Sequence, residues 1–222
     1  MAAVEFLPGR SNSSRVLITG ACRGVGRACA EVLAQAGAEL ILTDVDEEAL
    51  ADVAGKLGAT SFRCDVASEA SVQSFSKWVL NRFPALDLVI NAAGGGYERT
   101  LGMYRVSRAF IPALEAGGPG HLVNVPPSGV GSDVPPFPYA SSRQAFQRLS
   151  SALANEVRDT AITVIIACPS ERRLAQVLAD PNAGAWARNC DLRRWNSEDA
   201  MTLAWQLVSL LKQDAESRRL AG

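Results

Sequence analysis

Short apolar runs alternate with longer amphipathic segments along most of this chain. Each run is rich in β-branched and aliphatic residues and is nearly continuous, a pattern typical of strands that are buried on both faces of a sheet. The runs predict strands over residues 16–19, 39–43, 60–64, 86–91, 121–125 and 162–167.

The segments between the runs carry apolar residues at helical spacing. Val25, Cys29 and Val32 begin the inner face of the first predicted helix, and Gly37 marks its end. Further helices are predicted over about 46–57 and from 68 or 71 to 83, and Phe146, Leu149, Leu153 and Val157 mark another amphipathic helix. The residues expected to cap helix N-termini are Asp46, either Ser68 or Ser71, and Asn196.

Asn196 opens the last predicted helix. Apolar side chains recur along it at the spacing of one helix face, which we expect to pack inward. The members of this face are Met201, Ala204, Trp205, Val208 and Leu211.

This alternation of strands and helices favours the α/β class. It predicts a three-layer Rossmann fold with a doubly wound parallel sheet and right-handed crossovers. A polar leader, residues 1–14, precedes a single domain over 15–222, and no repeat or linker divides that domain. The length of 222 residues is enough to bury a core without disulfides or metals.

Composition then narrows the classes of function. The formal net charge is −1 at pH 7, which gives no electrostatic footprint for nucleic acid. The apolar runs end well before the roughly 18 residues that a membrane helix needs, so no membrane contact is expected. The N-terminal residues do not resemble a signal peptide, and we therefore expect a cytoplasmic location.

The five cysteines and the single histidine do not have the spacing of a metal site, and no metal is expected. Cys29 and Cys64 fall within apolar patterns and are predicted to be core thiols. Cys22 lies in a glycine-rich loop, where it is either a small space-filling residue or an exposed thiol open to oxidation. The space-filling role is favoured.

That glycine-rich loop, residues 19–26, follows the first predicted strand and opens the first helix. Glycines at this point allow a tight turn and close backbone approach, and the helix N-terminus offers free N–H groups to a pyrophosphate. Asp44 follows the second strand, where a carboxylate can accept hydrogen bonds from an adenosine ribose. The alternative is that Asp44 only caps a helix, although Asp46 is better placed for that role.

The spacing Gly20-x-x-x-Gly24-x-Gly26 resembles the short-chain dehydrogenase/reductase family, and later segments resemble the motifs of this family in the same order. These are Asp65-Val66, Asn91-Ala92-Ala93-Gly94, Asn124-Val125, Tyr139 with Arg143, and Cys168-Pro169. The resemblance implies that a nicotinamide dinucleotide is bound by Gly20, Arg23, Gly24, Val25, Gly26, Asp44, Asp65, Val66, Asn91, Ala92, Ala93, Gly94 and Pro169. The Asp44 carboxylate favours NAD over NADP because it repels a 2′-phosphate, an effect that Arg23 partly counters.

The resemblance also implies hydride transfer between the cofactor and an alcohol or ketone, with Tyr139 as the general acid/base. The other catalytic positions of the family are altered here. Arg143 replaces a lysine, Arg99 replaces an asparagine, and Pro127 stands at the serine position with Ser128 one residue further on. An arginine holds its proton at working pH, so a proton relay through residue 143 is expected to be impaired.

Two parts of the family pattern are shortened. Roughly twenty residues are missing between Gly96 and the helix that carries Arg99. The tail over 212–219 is too polar for the usual seventh strand, so about six strands are predicted, and residues 171–195 are expected to replace the substrate lid.

Three functions follow as alternatives. The first is a weakly active NAD-dependent oxidoreductase, and the second is an inactive dinucleotide-binding protein that acts through a partner. The third is an isomerase or dehydratase that uses Arg99 or Arg143 to hold an anion. The resemblance implies a homodimer through the helices at 100–116 and 139–158, with apolar surface expected from Phe110, Phe146 and Leu149.

Overall fold

A computed structural model describes residues 14–94, 97–126, 136–168, 191–194, 204–205 and 208–209. The strands are Arg15–Thr19 (β1), Glu39–Thr43 (β2), Thr60–Ser61 (β3), Leu88–Asn91 (β4), His121–Asn124 (β5), Thr163–Cys168 (β6) and Asp191–Arg194 (β7). The helices are Gly24–Gln35 (α1), Glu47–Leu57 (α2), Glu69–Arg82 (α3), Tyr97–Ala116 (α4) and Pro136–Glu156 (α5). Among the described residues, no helix combines the length and the hydrophobicity of a membrane-spanning segment.

The strands form one parallel sheet in the order β3-β2-β1-β4-β5-β6-β7. The chain moves outward from β1 to β3 and then returns to place β4 on the other side of β1. A crevice therefore opens between β1 and β4 at their carboxyl ends, where ligands bind in doubly wound sheets. The predicted doubly wound α/β fold is confirmed.

Helices cover both faces of this sheet and form two hydrophobic layers. Side chains of α1 and α2, with Ala204 and Val208, pack on one face, while α3, α4 and α5 pack on the other. In β1, Val16 and Ile18 belong to the first layer and Leu17 to the second, and all three are fully buried. Burial on both faces explains why β1 is a continuous apolar run.

The sheet has seven strands, whereas the sequence predicts about six. The seventh, β7, pairs with β6 and comes from the segment that was expected to replace the substrate lid. Its sequence, Asp-Leu-Arg-Arg, has no apolar run, because an edge strand has only one neighbour and tolerates charged residues. The rest of the predicted lid segment and the tail over 212–219 lie outside the described residues.

The helix caps follow the sequence signals closely. The Asp46 side chain accepts a hydrogen bond from Ala49 N–H at 3.1 Å, and Ser68 accepts one from Ser71 N–H at 3.3 Å. Ser68, rather than Ser71, is therefore the cap of α3. Helix α4 begins at Tyr97, three residues earlier than predicted.

Two expectations about apolar surface are wrong. Trp205 is 46 % exposed, while its neighbours Ala204 and Val208 are buried, because a residue one position along a helix points about 100° away. Phe110 and Phe146 are buried within this chain, so they leave no apolar surface for a second subunit. Leu149 is half-buried and packs against the same core.

Candidate functional site

The carboxyl ends of β1, β2 and β4 border an open cleft at the point where the strand order reverses. Most residues of the predicted cofactor site line this cleft, together with Thr43, Val45, Cys64 and Arg99. The lining is Gly20, Arg23, Thr43, Asp44, Val45, Cys64, Asp65, Val66, Ala92, Ala93, Gly94 and Arg99. Thr43, Val45 and Cys64 were not anticipated, since each reads in the sequence as part of a strand or as its neighbour.

Two glycines of the loop are required by close backbone approach. Gly20 has a φ of +67°, and a Cβ there would lie 2.7 Å from the backbone nitrogen of Ala93. A Cβ on Gly26 would overlap the carbonyl oxygen of Gly20. The loop therefore lies directly against the end of β4, and any side chain at these positions would push the two segments apart.

Gly24 begins α1 and faces open space. It has a φ of +55°, and no atom lies within 4 Å of the point that its Cβ would occupy. The N-cap Arg23 makes no side-chain capping bond, and the first turn carries no acidic residue. The first-turn N–H groups and the helix dipole thus leave a partial positive charge at the cleft that an anion can use.

Asp44 links this loop to β2. One carboxylate oxygen accepts a hydrogen bond from Cys22 N–H at 3.1 Å, and the other accepts from Val45 N–H at 2.8 Å and Asp46 N–H at 3.3 Å. Asp46 performs the capping of α2, so the alternative that Asp44 only caps a helix is wrong. The oxygen bonded to Cys22 keeps further acceptor capacity on the cleft side.

Arg23 lies at the mouth of the cleft. Its guanidinium is 3.8 Å from the Asp46 carboxylate, with 76 % of its side chain exposed. An exposed pair at this separation is weak, so Arg23 can turn toward a ligand at little cost.

Cys22 fills space beneath the loop. It is 7 % exposed, and its Sγ lies 3.7 Å from the carbonyl oxygen of Asp46. Burial, together with the nearby Asp44 carboxylate, raises the pKa of this thiol to about 12. The space-filling role is confirmed, as are the predicted core positions of Cys29 and Cys64.

The opposite wall of the cleft is the turn after β3. The Asp65 carboxylate accepts from Ala67 N–H at 3.0 Å, and Asp65 N–H donates to Ser71 Oγ at 3.0 Å. A Cβ on Gly102 would overlap the carbonyl oxygen of Val66, and Arg105 donates to the Ala67 carbonyl at 2.9 Å. Helix α4 is therefore fixed against this turn.

Asn91 lies at the base of the site and is only 3 % exposed. Its amide nitrogen donates to Asn124 Oδ1 and to Ser107 Oγ, both at 2.9 Å, and Asn124 in turn donates to Ser150 Oγ at 3.4 Å. This network joins β4, β5, α4 and α5. Asn91 does not line the main cleft, although it was expected to bind the cofactor alongside Ala92, Ala93 and Gly94.

Arg99 reaches the cleft from the first turn of α4. One guanidinium nitrogen donates to the Gly94 carbonyl at 3.0 Å, which holds the side chain beside the end of β4. The signal for this position was available in the sequence, because the short connection after Gly96 brings the start of α4 close to β4.

The predicted catalytic residues are less completely described. Tyr139 and Arg143 lie in the first two turns of α5, but their side chains are outside the described part of the structure. Pro127, Ser128 and Pro169 also lie outside it.

Comparison with known proteins gives a consistent result. Residues 14–183 match the family model described as short chain dehydrogenase. Ketoacyl reductase 1 of the granaticin polyketide synthase from Streptomyces violaceoruber is 30% identical over 212 residues, which cover 83% of this chain and 78% of that protein. The L-fucose dehydrogenase of Oryctolagus cuniculus is 28% identical over 194 residues, covering 76% of this chain and 68% of that protein.

Solved structures show the same fold. The RhlG/NADP active-site complex of Pseudomonas aeruginosa superposes with a TM-score of 0.71 at 22% identity, covering 96% of this chain and 93% of that one. A metagenomic short-chain oxidoreductase in complex with NADP gives a TM-score of 0.67 at 25% identity, covering 85% and 99%. A protein from Burkholderia phymatum in complex with NAD gives 0.68 at 23% identity, covering 96% and 88%.

Proposed function

Because this chain belongs to the short-chain dehydrogenase family, we propose that it is a weakly active oxidoreductase that acts on an alcohol or ketone. In this proposal a nicotinamide dinucleotide lies in the cleft between β1, β2 and β4, and Tyr139 is the general acid/base. When bound, the dinucleotide supplies the hydride acceptor or donor. The solved structures in complex with NADP or NAD support this class of cofactor.

The observation that carries the proposal is that the glycine-rich loop and Asp44 meet at one cleft, where Gly20, Arg23 and Asp44 are among the lining residues. Gly24 offers an open, uncapped helix N-terminus, which suits a pyrophosphate. Asp44 offers a carboxylate with remaining acceptor capacity, which suits ribose hydroxyls. Gly20 and Gly26 keep the intervening backbone close to Ala93, so the residues present fit a dinucleotide.

We propose NAD as the preferred dinucleotide. A 2′-phosphate on the adenosine ribose would meet the buried carboxylate of Asp44, which is 8 % exposed and held by three backbone N–H groups. Arg23 is the cation best placed to offset that repulsion, and it is already shared with Asp46. The negative charge of Asp44 therefore outweighs the positive charge of Arg23, which favours the free ribose hydroxyls of NAD over the 2′-phosphate of NADP.

Weak turnover is proposed because Tyr139 keeps only part of its catalytic support. Arg143 carries a positive charge that would stabilise a tyrosinate beside it, but it does not release a proton at working pH. Pro127 has neither a hydroxyl nor an N–H with which to orient a substrate oxygen, and Ser128 is the nearest hydroxyl along the chain. Oxidoreduction would then proceed slowly, with Tyr139 as its main protein group.

A second candidate function is dinucleotide binding without turnover, in a protein that acts by binding a partner protein. The observation that favours it is Arg99, which occupies the cleft at a position where the family uses an asparagine in its proton relay. A guanidinium donates hydrogen bonds but accepts none, so it does not replace an amide in such a relay.

We also propose a homodimer through α4 and α5. The two helices pack side by side in this chain, and the Arg108 guanidinium lies 3.0 Å from the Glu156 carboxylate across them. Because Phe110 and Phe146 are buried, the contact surface would be the outer, largely polar face of both helices. Light scattering should give the mass of two chains, and the mass of one chain would overturn the dimer.

The proposed function is tested by titrating the protein with NADH and NADPH by fluorescence and by screening alcohols and ketones for turnover. Tight NADH binding with slow turnover that is lost in Tyr139→Phe would support the oxidoreductase. Binding without turnover on any substrate would favour the second candidate. Absence of dinucleotide binding would overturn both.

A double variant, Arg143→Lys with Pro127→Ser, tests whether turnover can be increased. If the weakness of the enzyme comes from these two positions, the double variant should turn over faster than the natural chain at unchanged NADH affinity. An equal rate would show that turnover is limited elsewhere.

A further inference from the structure

A second, smaller cavity adjoins the cleft on the side of α4. It shares Ala93, Gly94 and Arg99 with the main cleft, but no residue of the glycine-rich loop lines it. Its free volume of about 10 Å³ has room for one water molecule or one hydroxyl group. The remaining lining residues are Asn91, Thr100, Met103, Val125 and Phe146.

Asn91 lines this cavity, and its side chain has a hydrogen-bond acceptor without a partner in the described part of the structure. The Ser107 hydroxyl donates to the Met103 carbonyl at 2.7 Å, so the Ser107 oxygen must accept from Asn91, which fixes the orientation of the amide. The nitrogen of that amide is then fully used by Ser107 and Asn124. Within the described part of the structure, Asn91 Oδ1 is buried and has no partner. A buried acceptor in this state calls for a donor from a ligand or a water.

Arg99 brings positive charge to the same place. Its guanidinium donates one hydrogen bond to the Gly94 carbonyl and retains further N–H donors. Among the described residues, no carboxylate forms an ion pair with it. Arg99 is held in place by its helix, because Gly102 and Arg105 fix α4 against the turn at Val66 and Ala67.

We propose that Arg99 and Asn91 form a substrate subsite for a hydroxy acid. Arg99 binds the carboxylate, and Asn91 Oδ1 accepts a hydrogen bond from a binding hydroxyl of the substrate, distinct from the alcohol or ketone oxygen whose proton Tyr139 exchanges in the proposed function. The inference rests on the proposed function, because it names the class of substrate that the dinucleotide site serves. It replaces the neutral alcohol or ketone of a general oxidoreductase with an acidic one.

A dinucleotide pyrophosphate is the other anion that could reach Arg99. The observations favour the substrate for two reasons. The start of α1, with Gly24, attracts a pyrophosphate at the opposite wall of the cleft. The smaller cavity is lined by Arg99, Thr100 and Met103 of α4 and by no residue of the glycine-rich loop.

The test is calorimetric binding of three matched probes: β-hydroxybutyrate, its neutral amide and butyrate. Each is titrated into the protein with and without saturating NAD⁺. The natural chain should bind β-hydroxybutyrate about tenfold or more tightly than either the amide or butyrate, the size expected for one charge-assisted or buried hydrogen-bonded contact.

Variants assign the effect to Arg99. Arg99→Ala should lose the preference for acid over amide, and Arg99→Lys should retain part of it, because an ammonium keeps the charge without the planar fork. Arg82→Ala is the matched control, since Arg82 is an exposed arginine at the end of α3 that packs over Trp78, away from the cleft. It should bind all three probes like the natural chain.

The remaining outcomes separate the alternatives. If Arg99→Ala weakens the binding of NAD⁺ titrated alone and leaves the acid-to-amide ratio unchanged, Arg99 serves the pyrophosphate and the subsite is overturned. If butyrate binds as tightly as β-hydroxybutyrate, the cavity takes only water and the assignment of Asn91 is overturned. If none of the probes binds, the hydroxy-acid class is overturned. If NAD⁺ fails to bind while the acid is still preferred over its amide, the proposed function falls and the subsite stands.

Discussion

The Asp44 carboxylate accepts a hydrogen bond from the backbone N–H of Cys22 at 3.1 Å. This bond ties the end of β2 to the loop between β1 and α1, and a backbone bond from Ala21 N–H to the Thr43 carbonyl at 3.2 Å supports it. Asp44 and the glycine-rich loop are therefore parts of one connected unit. A change at Asp44 should alter both ligand binding and the stability of the loop.

Replacing Asp44 separates these two effects. Asp44→Asn keeps one acceptor oxygen but loses the charge, so NADH affinity should fall about tenfold while the preference against NADPH weakens. Asp44→Ala also leaves the buried Cys22 N–H without a partner, which should cost about 1–3 kcal/mol in the free energy of unfolding. Fluorescence titration and urea unfolding measure the two quantities.

Asp52→Ala is the control for these variants, because Asp52 is an exposed carboxylate on α2 that pairs only with Lys56 in the described structure. Its NADH affinity and stability should stay close to those of the natural chain. An Asp44→Asn protein with an unchanged ratio of NADH to NADPH affinity would contradict the role assigned to Asp44.

Gly20→Ala should be strongly destabilising. The new Cβ would lie 2.7 Å from the Ala93 nitrogen, and the φ of +67° is itself unfavourable for a residue with a side chain. We expect a loss of at least about 2 kcal/mol in the free energy of unfolding, with NADH binding reduced as the loop moves away from β4.

The matched control is Gly55→Ala within α2, where nothing lies within 4 Å of the new Cβ. Alanine should stabilise that helix by about 0.5–1 kcal/mol. Urea unfolding of both variants decides the matter, and equal effects would refute the close approach of the loop to β4.

Gly102→Ala should act on the site from a distance. Its Cβ would overlap the Val66 carbonyl, so α4 must move away from the turn after β3 and carry Arg99 with it. Stability should fall by about 1–3 kcal/mol, and the preference for β-hydroxybutyrate over its amide should shrink. Glu115→Ala, at an exposed position near the end of α4, should change neither quantity.

The buried thiols predict a loss of stability at alkaline pH. Burial raises the pKa of Cys29 to about 12, while the same thiol in the unfolded chain ionises near its ordinary pKa. Between these values the unfolded chain has lost a proton that the folded chain retains, so stability falls as pH rises from about 9 to 12. Below pH 9 the thiol contributes no pH dependence.

Each such thiol should contribute a slope of about 1.4 kcal/mol per pH unit within that window. Urea unfolding from pH 8 upward, for the natural chain and for Cys29→Ala, isolates the share of Cys29, because all other groups titrate alike in both proteins. Parallel curves for the two proteins would contradict the shift.

The central strands were predictable because their environment is uniform. Val16, Leu17 and Ile18 alternate between the two hydrophobic layers, and a strand that is buried on both sides must be apolar throughout. The capping role of Asp46 was equally local, and for α3 the sequence narrowed the cap to Ser68 or Ser71. A cap depends on a side chain and an N–H three residues later, which the sequence contains in full.

Other features depend on partners distant in the chain. Strand β7 is held by backbone pairing with β6 at an open edge, so its side chains need not be apolar. The burial of Phe110 inside the chain reflects contact with Phe75 on α3, at 5.5 Å between ring centroids. The bond from Asp44 to the Cys22 N–H likewise arises only once β1 and β2 lie side by side.

The side-chain bond between Asn91 and Asn124 has a consequence for how the chain finds its fold. The two residues are also directly opposite each other in the ladder between β4 and β5. A register shift of one residue would separate the two amides and leave them buried without hydrogen-bond partners. This would cost free energy of folding, a penalty that aliphatic side chains do not carry. Leu88, Val89 and Ile90 are apolar and buried, so a shifted alignment would leave none of their side chains with an unpaired polar group. The amide pair therefore fixes the register of β4 and β5 during folding, because other registers would lose its hydrogen bond.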